Sequence, residues 1–478
     1  MIPLDFLAGQ KVAVLGLGRS GLPTAEALAR SGATVLAWDD DALQRQKAAA
    51  HGISVADLTT VDLTGIETMV LSPGIPRRLP APHPAIDRML AHGVDVRSDI
   101  DLLASAQPEA RYLGVTGTNG KSTTTALIGH ILRSAGVRAE VGGNLGTGAC
   151  ALEPLAAGQW YVLELSSYQL ETVSLVAWDV GVFLNITPDH LDRYAGMEDY
   201  VAAKRRLFQV RKPGHVAVVG VDDDWCRMLA DQLRAVGGDH RVVPVSVERP
   251  VADGVWVNDG RLVDDAYADR CGVMDLAQAP SLPGRHNWQN AAAAYAAARA
   301  VDIDAETIAD AIRSFPGLRH RQQQVATVEG ISFVNDSKAT NPDAAAKALA
   351  CYGPIYWIAG GRAKEGGLDE LNPWLGSIAH AFLIGEATDK FDRYLAGRVP
   401  VSRCGTLDRA IAEAFAAARQ AKAAGASGTP VVLLSPACAS FDQFRSFEER
   451  GDRFVAAVGD LARRHGSSPG TQVTRGAA

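Results

Sequence analysis

The stretch GVTGTNGKSTTT, Gly114–Thr125, decides the reading of this chain. It follows a short apolar run, RYLGV, and precedes an apolar-periodic run, ALIGHILRSAG. A Gly-rich turn between a strand and a helix, with Lys121 and the hydroxyls of Ser122 and Thr123 at the helix start, suits a phosphate. Backbone N–H groups of such a turn converge on oxyanions, and the helix N-terminus adds a favourable dipole. The strict pattern G-x-x-x-x-G-K-[ST] is not met, because its first Gly would fall on Val115; glycines stand at 114, 117 and 120 instead. The plain alternative is a turn that binds nothing. The GKS triplet between strand and helix weighs against it.

Outward from that loop, apolar runs end repeatedly in polar or Gly-rich loops. This is the pattern of α/β domains with parallel sheets, whose ligands sit at the carboxyl ends of strands. WYVLELSSYQLE places Glu164 at such an end, where it suits a metal carboxylate; NITPDHLDRY places His190 between Asp189 and Asp192. Imidazole beside carboxylates suits a metal ligand or an acid–base group, though a loop histidine is as often plain surface. Upstream, KVAVLGLGRSGLPTAEALARSGATVLAWDD carries Gly16, Gly18 and Gly21 in G-x-G-x-x-G, with Asp39 about 20 residues on. Alone it reads as a dinucleotide turn. Downstream, NDSKATN offers Asp336, Lys338 and Thr340, AGGRAKEGG offers Lys364, and SPACASFDQF offers Ser440 and Phe441. Lysines and hydroxyls at strand ends suit a carboxylate or phosphate.

The bulk numbers set bounds. The 478 residues favour two to four domains. Net charge is −7, against general nucleic-acid binding. Six scattered cysteines without a CxxC pair suggest reduced thiols. No signal-peptide pattern and no membrane-length apolar run stand out, so a cytoplasmic protein that binds neither nucleic acid nor membrane is expected. The polar stretch SAQPEARY marks a candidate domain boundary, and the final HGSSPGTQVTRGAA reads as disordered. A dehydrogenase would use Gly16–Gly21 and leave Lys121 idle. A motor or GTPase would use Lys121 and leave the other segments idle. An ATP-dependent ligase with a nucleotide-tagged substrate and a carboxylated partner employs all three.

The motifs together, namely GVTGTNGKSTTT, GGNLG, ELSSYQLE, NITPDHLDRY, AAKRRLF and LPGRHNWQN, resemble the Mur ligase family of peptidoglycan synthesis. NDSKATN and SPACASFDQF are similar to the branch that adds D-glutamate to UDP-N-acetylmuramoyl-L-alanine. The resemblance spans nearly the whole chain. It implies three α/β domains: a Rossmann-like one over 1–108 for the UDP-substrate, a central P-loop-type ATPase domain over 109–317 with a mostly parallel sheet, and a Rossmann-like one over 318–465 for the amino acid. Residues 466–478 form the tail.

The resemblance further implies residue roles. Gly16, Gly18, Arg19, Ser20, Asp39, Ser72, Gly74, Asn144 and His190 would hold the UDP-substrate, with Asp39 in the uridine pocket. Gly117, Thr118, Asn119, Gly120, Lys121, Ser122, Thr123, Asn290, Arg321 and Asp336 would hold ATP. Lys121, Glu164, His190 and Lys204 would be catalytic. Ser122, Glu164, His190 and Lys204, the last as a carbamate, would serve two Mg²⁺ ions. Lys338, Thr340, Lys364, Ser440 and Phe441 would hold D-glutamate, and Arg362-Ala363 before Lys364 departs from the family pattern. A monomer is expected. Sister ligases, folylpolyglutamate synthase and a nucleotide switch without ligase activity are the competing readings.

Overall fold

A computed structural model describes residues 1–363 and 366–466. Lys364 and the tail from residue 467 onward lie outside the described residues. Three sheets follow one another along the chain.

The first has β1 (Lys11–Leu15), β2 (Thr34–Trp38), β3 (Ile66–Leu71) and β4 (Asp95–Arg97), in the order β2-β1-β3-β4, all parallel. In β1 the four residues after Lys11 are all buried, as expected of a central parallel strand covered on both faces. The short run DVR supplies β4. The chain then runs through the helix Asp99–Ala106 before the second sheet starts, with SAQPEARY spanning that junction.

The second sheet holds β5 (Arg111–Thr116), β6 (Ala139–Gly143), β7 (Trp160–Glu164), β8 (Trp178–Phe183), β9 (Arg211–Gly220), β10 (Arg241–Ser246), β11 (Val255–Asn258), β12 (Arg261–Asp264) and β13 (Cys271–Asp275). Their order is β13-β12-β11-β10-β9-β8-β5-β7-β6. The sheet is parallel from β6 to β11, and β12 and β13 extend it antiparallel. β5 lies between β7 and β8, and the chain crosses from one side of it to the other. That reversal leaves a crevice at the carboxyl ends of β5, β7 and β8, where ligands of open α/β sheets bind.

The third sheet holds β14 (Gln323–Val328), β15 (Ile331–Asn335), β16 (Ile355–Gly360), β17 (Ile378–Ile384), β18 (Val401–Gly405) and β19 (Val431–Leu434), ordered β14-β15-β19-β16-β17-β18. Only the β14–β15 pair is antiparallel. Its strands alternate between two cores. Val334, Trp357 and Leu433 face one, and Phe333, Ile358 and Leu434 the other.

The chain divides into two compact units, Met1–Gln278 with Asn287–Ser314, and Ala279–His286 with the residues from Phe315 onward. The first two sheets share one continuous core, which runs from Val12 and Val14 through Ile100 and Leu103 to Tyr161, Leu163 and Phe183. The Ala-rich run forms the helix Arg285–Arg299, with Ala291–Ala294 and Ala296–Ala298 almost wholly buried.

Candidate functional site

β5 delivers the chain into the loop Gly117–Gly120, and the helix Lys121–Ser134 leaves it. Gly120 is the helix N-cap at φ +83°, and a Cβ there would sit 2.1 Å from Asn290 Oδ1. Only glycine fits, and glycine offers no capping side chain. A bound oxyanion supplies the acceptor that Ser or Asp gives an ordinary helix. The loop is held from behind by β8's continuation. Asn185 O accepts from Thr118 N at 2.9 Å, Asn185 Oδ1 accepts from Asn119 N at 2.8 Å, and Asn185 Nδ2 reaches Gln289 Oε1 at 3.0 Å. Thr118 Oγ1 bonds Thr187 O and meets the Tyr200 hydroxyl. Asn185, Thr187 and Tyr200 were not expected as site residues. The polar NIT after an apolar strand was the one sequence signal for Asn185 and Thr187, and Tyr200 had none.

Two lysines converge on the same loop. Lys121 Nζ donates to Gly117 O at 3.0 Å and Thr118 O at 2.7 Å. Lys204, only 2% exposed, donates from Nζ to Gly117 O at 2.9 Å and lies over the Tyr200 ring. Burial, then the neighbouring Lys121 charge, pushes the Lys204 amine well below its usual value, while Asp189 and Glu164 oppose this. A weakened amine basicity at this position suits carbamate formation, since only the unprotonated form attacks CO₂.

Glu164 ends β7 with 2% exposure. Its Oε1 accepts from Asn144 Nδ2 at 2.7 Å, and its Oε2 is buried without a hydrogen-bond partner. An unbonded buried carboxylate oxygen is costly, and a hard divalent cation is the partner that suits it. Among the described residues no three His, Cys, Asp or Glu side chains gather as a ready metal cage. His190 sits at φ +55°, its Nε2 3.4 Å from Asp189 Oδ2 and its ring 5.0 Å from Tyr168. Ser122 is buried in the first turn of the loop's helix, and Thr123 is half-buried beside it. Asn290 Nδ2 donates to Asn287 Oδ1.

The first-sheet loop is pinned by its own acids and hydroxyls. Asp39 Oδ2 accepts from Leu17 N at 2.6 Å and Oδ1 from Asp41 N, and Ser72 Oγ donates to Gly16 O at 2.8 Å. A Cβ on Gly21 would lie 1.8 Å from Gly16 O, so the turn closes only with glycine. Ser20 is the N-cap of the helix Gly21–Arg30, and Gly18 and Arg19 are exposed. Arg19 Nη1 donates to Asn144 O at 3.1 Å, and Arg193 Nη1 to Gly74 O at 3.3 Å, so this loop set borders the Glu164 and His190 loops.

The second unit carries the remaining expected residues. Asp336 follows β15, and burial pushes its carboxyl up to about 7 while Ser435 Oγ and Gln322 N donate to it. Lys338 lies 3.8 Å from the Phe447 ring centroid, Thr340 is half-buried, Ser440 is buried and Phe441 is 64% exposed. Arg321 lies just ahead of β14. Arg362, the departure from the family pattern, pairs with Glu386 and bridges to Ala439 through its backbone. Buried Arg450, which the sequence did not single out, donates to Ser337 Oγ, Ser337 O and Cys438 O and so ties two of these loops together.

Residues 115–298 match the Mur ligase middle domain. The chain is 52% identical to a UDP-N-acetylmuramoylalanine–D-glutamate ligase of Rhodospirillum rubrum, covering 98% of this chain and 99% of that one. It is 48% identical to the protein of that name from Caulobacter sp., covering 97% and 99%. Among solved structures, MurF from Acinetobacter baumannii is similar with a TM-score of 0.58 at 17% identity, covering 94% of this chain and 93% of that one. MurC from Thermotoga maritima gives 0.56 at 16%, covering 94% and 99%. Those likenesses carry the fold, and the full-length identities carry the family: the chain belongs to the Mur ligases, in the branch of the UDP-N-acetylmuramoylalanine–D-glutamate ligases.

Proposed function

We propose that the protein is an ATP-dependent ligase that joins D-glutamate to the L-alanyl carboxylate of UDP-N-acetylmuramoyl-L-alanine, in the cytoplasmic stage of peptidoglycan synthesis. The observation that carries this reading is the 52% identity to a ligase of that name over almost the whole chain. The three sheets act as the three expected domains, 1–108, 109–317 and 318–465, and the chain works as a monomer. Among the described residues no helix is long and apolar enough to cross a membrane.

The ATP γ-phosphoryl passes to the L-alanyl carboxylate, which gives an acyl phosphate and ADP. The D-glutamate amine attacks that carbonyl carbon and phosphate leaves. Gly117–Thr123 cradle the phosphates. Lys121 exchanges its Gly117 and Thr118 carbonyl partners for phosphate oxygens, so its charge is already aimed at the transferring group. Glu164, Ser122, His190 and carbamylated Lys204 would hold two Mg²⁺ ions, which offset charge on the phosphoryl oxygens. Asn290, Arg321 and Asp336 complete the ATP contacts. Gly16, Gly18, Arg19, Ser20, Asp39, Ser72, Gly74, Asn144 and His190 hold the UDP-substrate. Lys338, Thr340, Lys364, Ser440 and Phe441 hold the two carboxylates of D-glutamate. His190 is one candidate base for the incoming ammonium, a role open to it only where its imidazole does not hold metal.

The test is phosphate release from ATP and Mg²⁺ with UDP-N-acetylmuramoyl-L-alanine, adding D-Glu, L-Glu, L-Ala, L-Lys or meso-diaminopimelate separately. Release with D-Glu alone, with the product mass, is expected. Release with another amino acid would discard the pocket reading, and slow hydrolysis indifferent to amino acids would leave a nucleotide switch. The Lys204 carbamate is tested apart from activity. A ¹³C resonance from ¹³CO₂ should be present in the native protein and absent in Lys204→Arg.

A further inference from the structure

On the far side of the helix Met197–Arg205 from the phosphate loop is a pocket of about 300 Å³. Lys204 points to Gly117, whereas Ala202 and Arg206 stand about 200° around the axis from it and line the pocket. Four arginines converge there, Arg77, Arg78, Arg193 and Arg206, against two carboxylates, Glu171 and Asp199.

Backbone carbonyls orient three of the arginines. Arg77 Nη1 donates to Glu171 O at 3.0 Å, and Arg206 Nε to Leu170 O at 2.6 Å. Both use carbonyls at the end of the short helix Ser167–Leu170, the negative end of its dipole. Arg193 donates to Gly74 O and stacks 4.4 Å over Tyr168. Arg78 comes no nearer than 3.9 Å to Asp199, whose other oxygen is occupied by Ala195 N. Like charges gathered in one pocket are relieved by a bound anion, and fixed guanidinium forks match the oxygens of phosphate.

We propose that Arg77, Arg78, Arg193 and Arg206 form a second oxyanion site for phosphate-class ligands, separate from the Gly117–Thr123 loop. The pocket admits a phosphate or a diphosphate group but not a whole dinucleotide. Its occupant would fix Arg193, and with it the loops that carry Gly74 and His190.

The test is calorimetric titration of the full chain with inorganic phosphate, pyrophosphate and AMP at constant ionic strength, with chloride as control. In Lys121→Ala, phosphate or pyrophosphate binding is expected to persist, and the further pair Arg77→Ala/Arg78→Ala is expected to weaken it at least tenfold. AMP binding that follows the same pattern assigns the occupant to a nucleotide phosphate, and its absence assigns a free anion. Binding that the arginine pair leaves untouched, or none above chloride, overturns the proposal. Should the alanine pair fail to fold, Arg77→Lys/Arg78→Lys keeps the charge, removes the forks and should still weaken binding several-fold.

Discussion

Glu164 is the residue whose chemistry is most exposed to test. One carboxylate oxygen is bonded to Asn144 and the other is buried without a hydrogen-bond partner. Glu164→Gln keeps the shape and the Asn144 contact while it removes the charge a divalent cation needs. We expect kcat to fall on the order of 10²–10³-fold with Tm unchanged or higher, read by phosphate release and a thermal melt. An unchanged kcat would remove Glu164 from the site. Asp336 makes the complementary case through pH. Burial holds its folded pKa near 7, above the unfolded 3.8, so the folded state binds the extra proton. Its contribution is full below pH 3.8 and is lost as pH rises through 7. Asp336→Asn should therefore be more stable than the parent at pH 8 without nucleotide, by at most roughly 4 kcal/mol, with the gap closing near pH 4. Denaturant melts at both pH values check the sign. Glu164 and His190 stood out in the sequence only as polar groups just after apolar strands, and Lys204 only through the family resemblance, because a lone lysine in a helix has no local mark. Asn185 and Arg450 did not stand out, since an amide behind a loop and an arginine in a charged helix look like ordinary surface until the fold shows what they hold.

At the scale of elements, the βα turns were readable and the sheet edges were not. The loop Gly117–Gly120 and the turn Gly16–Gly21 advertise themselves through glycines that steric contact enforces. Strands β11 to β13 carry no comparable mark. They are short and turn back antiparallel at the edge of a parallel sheet, where packing rather than local pattern sets the pairing. The close approach at Gly120 yields a prediction for the element it caps. Gly120→Ala forces a Cβ into Asn290 Oδ1 and strains a left-handed N-cap. Either the loop or the Asn290 end of the long Ala-rich helix must move. We expect a loss of about 2–4 kcal/mol of stability and at least tenfold weaker ATP binding, from a denaturant melt and nucleotide titration. Gly74→Ala is the control. The methyl it adds would meet nothing within 4 Å, so ATP binding should stay as it was.

Across the whole molecule, three sheets do not translate into three independent folding blocks. The first two share a continuous core, through the helix Asp99–Ala106 and the turn Ala149–Ala151, whereas the third has cores of its own on both faces. Sequence periodicity finds strands and helices but says nothing of which cores merge, because merging depends on side chains far apart in the chain. Scanning calorimetry of the full chain should therefore show two overlapping transitions. One would contain both of the first two sheets, and the other the third. On the proposed reading a nucleotide analogue with Mg²⁺ would bind the folded loop at Gly117–Thr123, and it should then raise the first transition by mass action, by about 2.7 kcal/mol at a hundred times Kd. A single transition whose calorimetric and van't Hoff enthalpies agree would mean that the two units fold as one. Three separable transitions would mean that the shared core contributes little to cooperativity. Either result would redraw the boundary between the sheets, and only the two-transition profile follows from the cores as they stand.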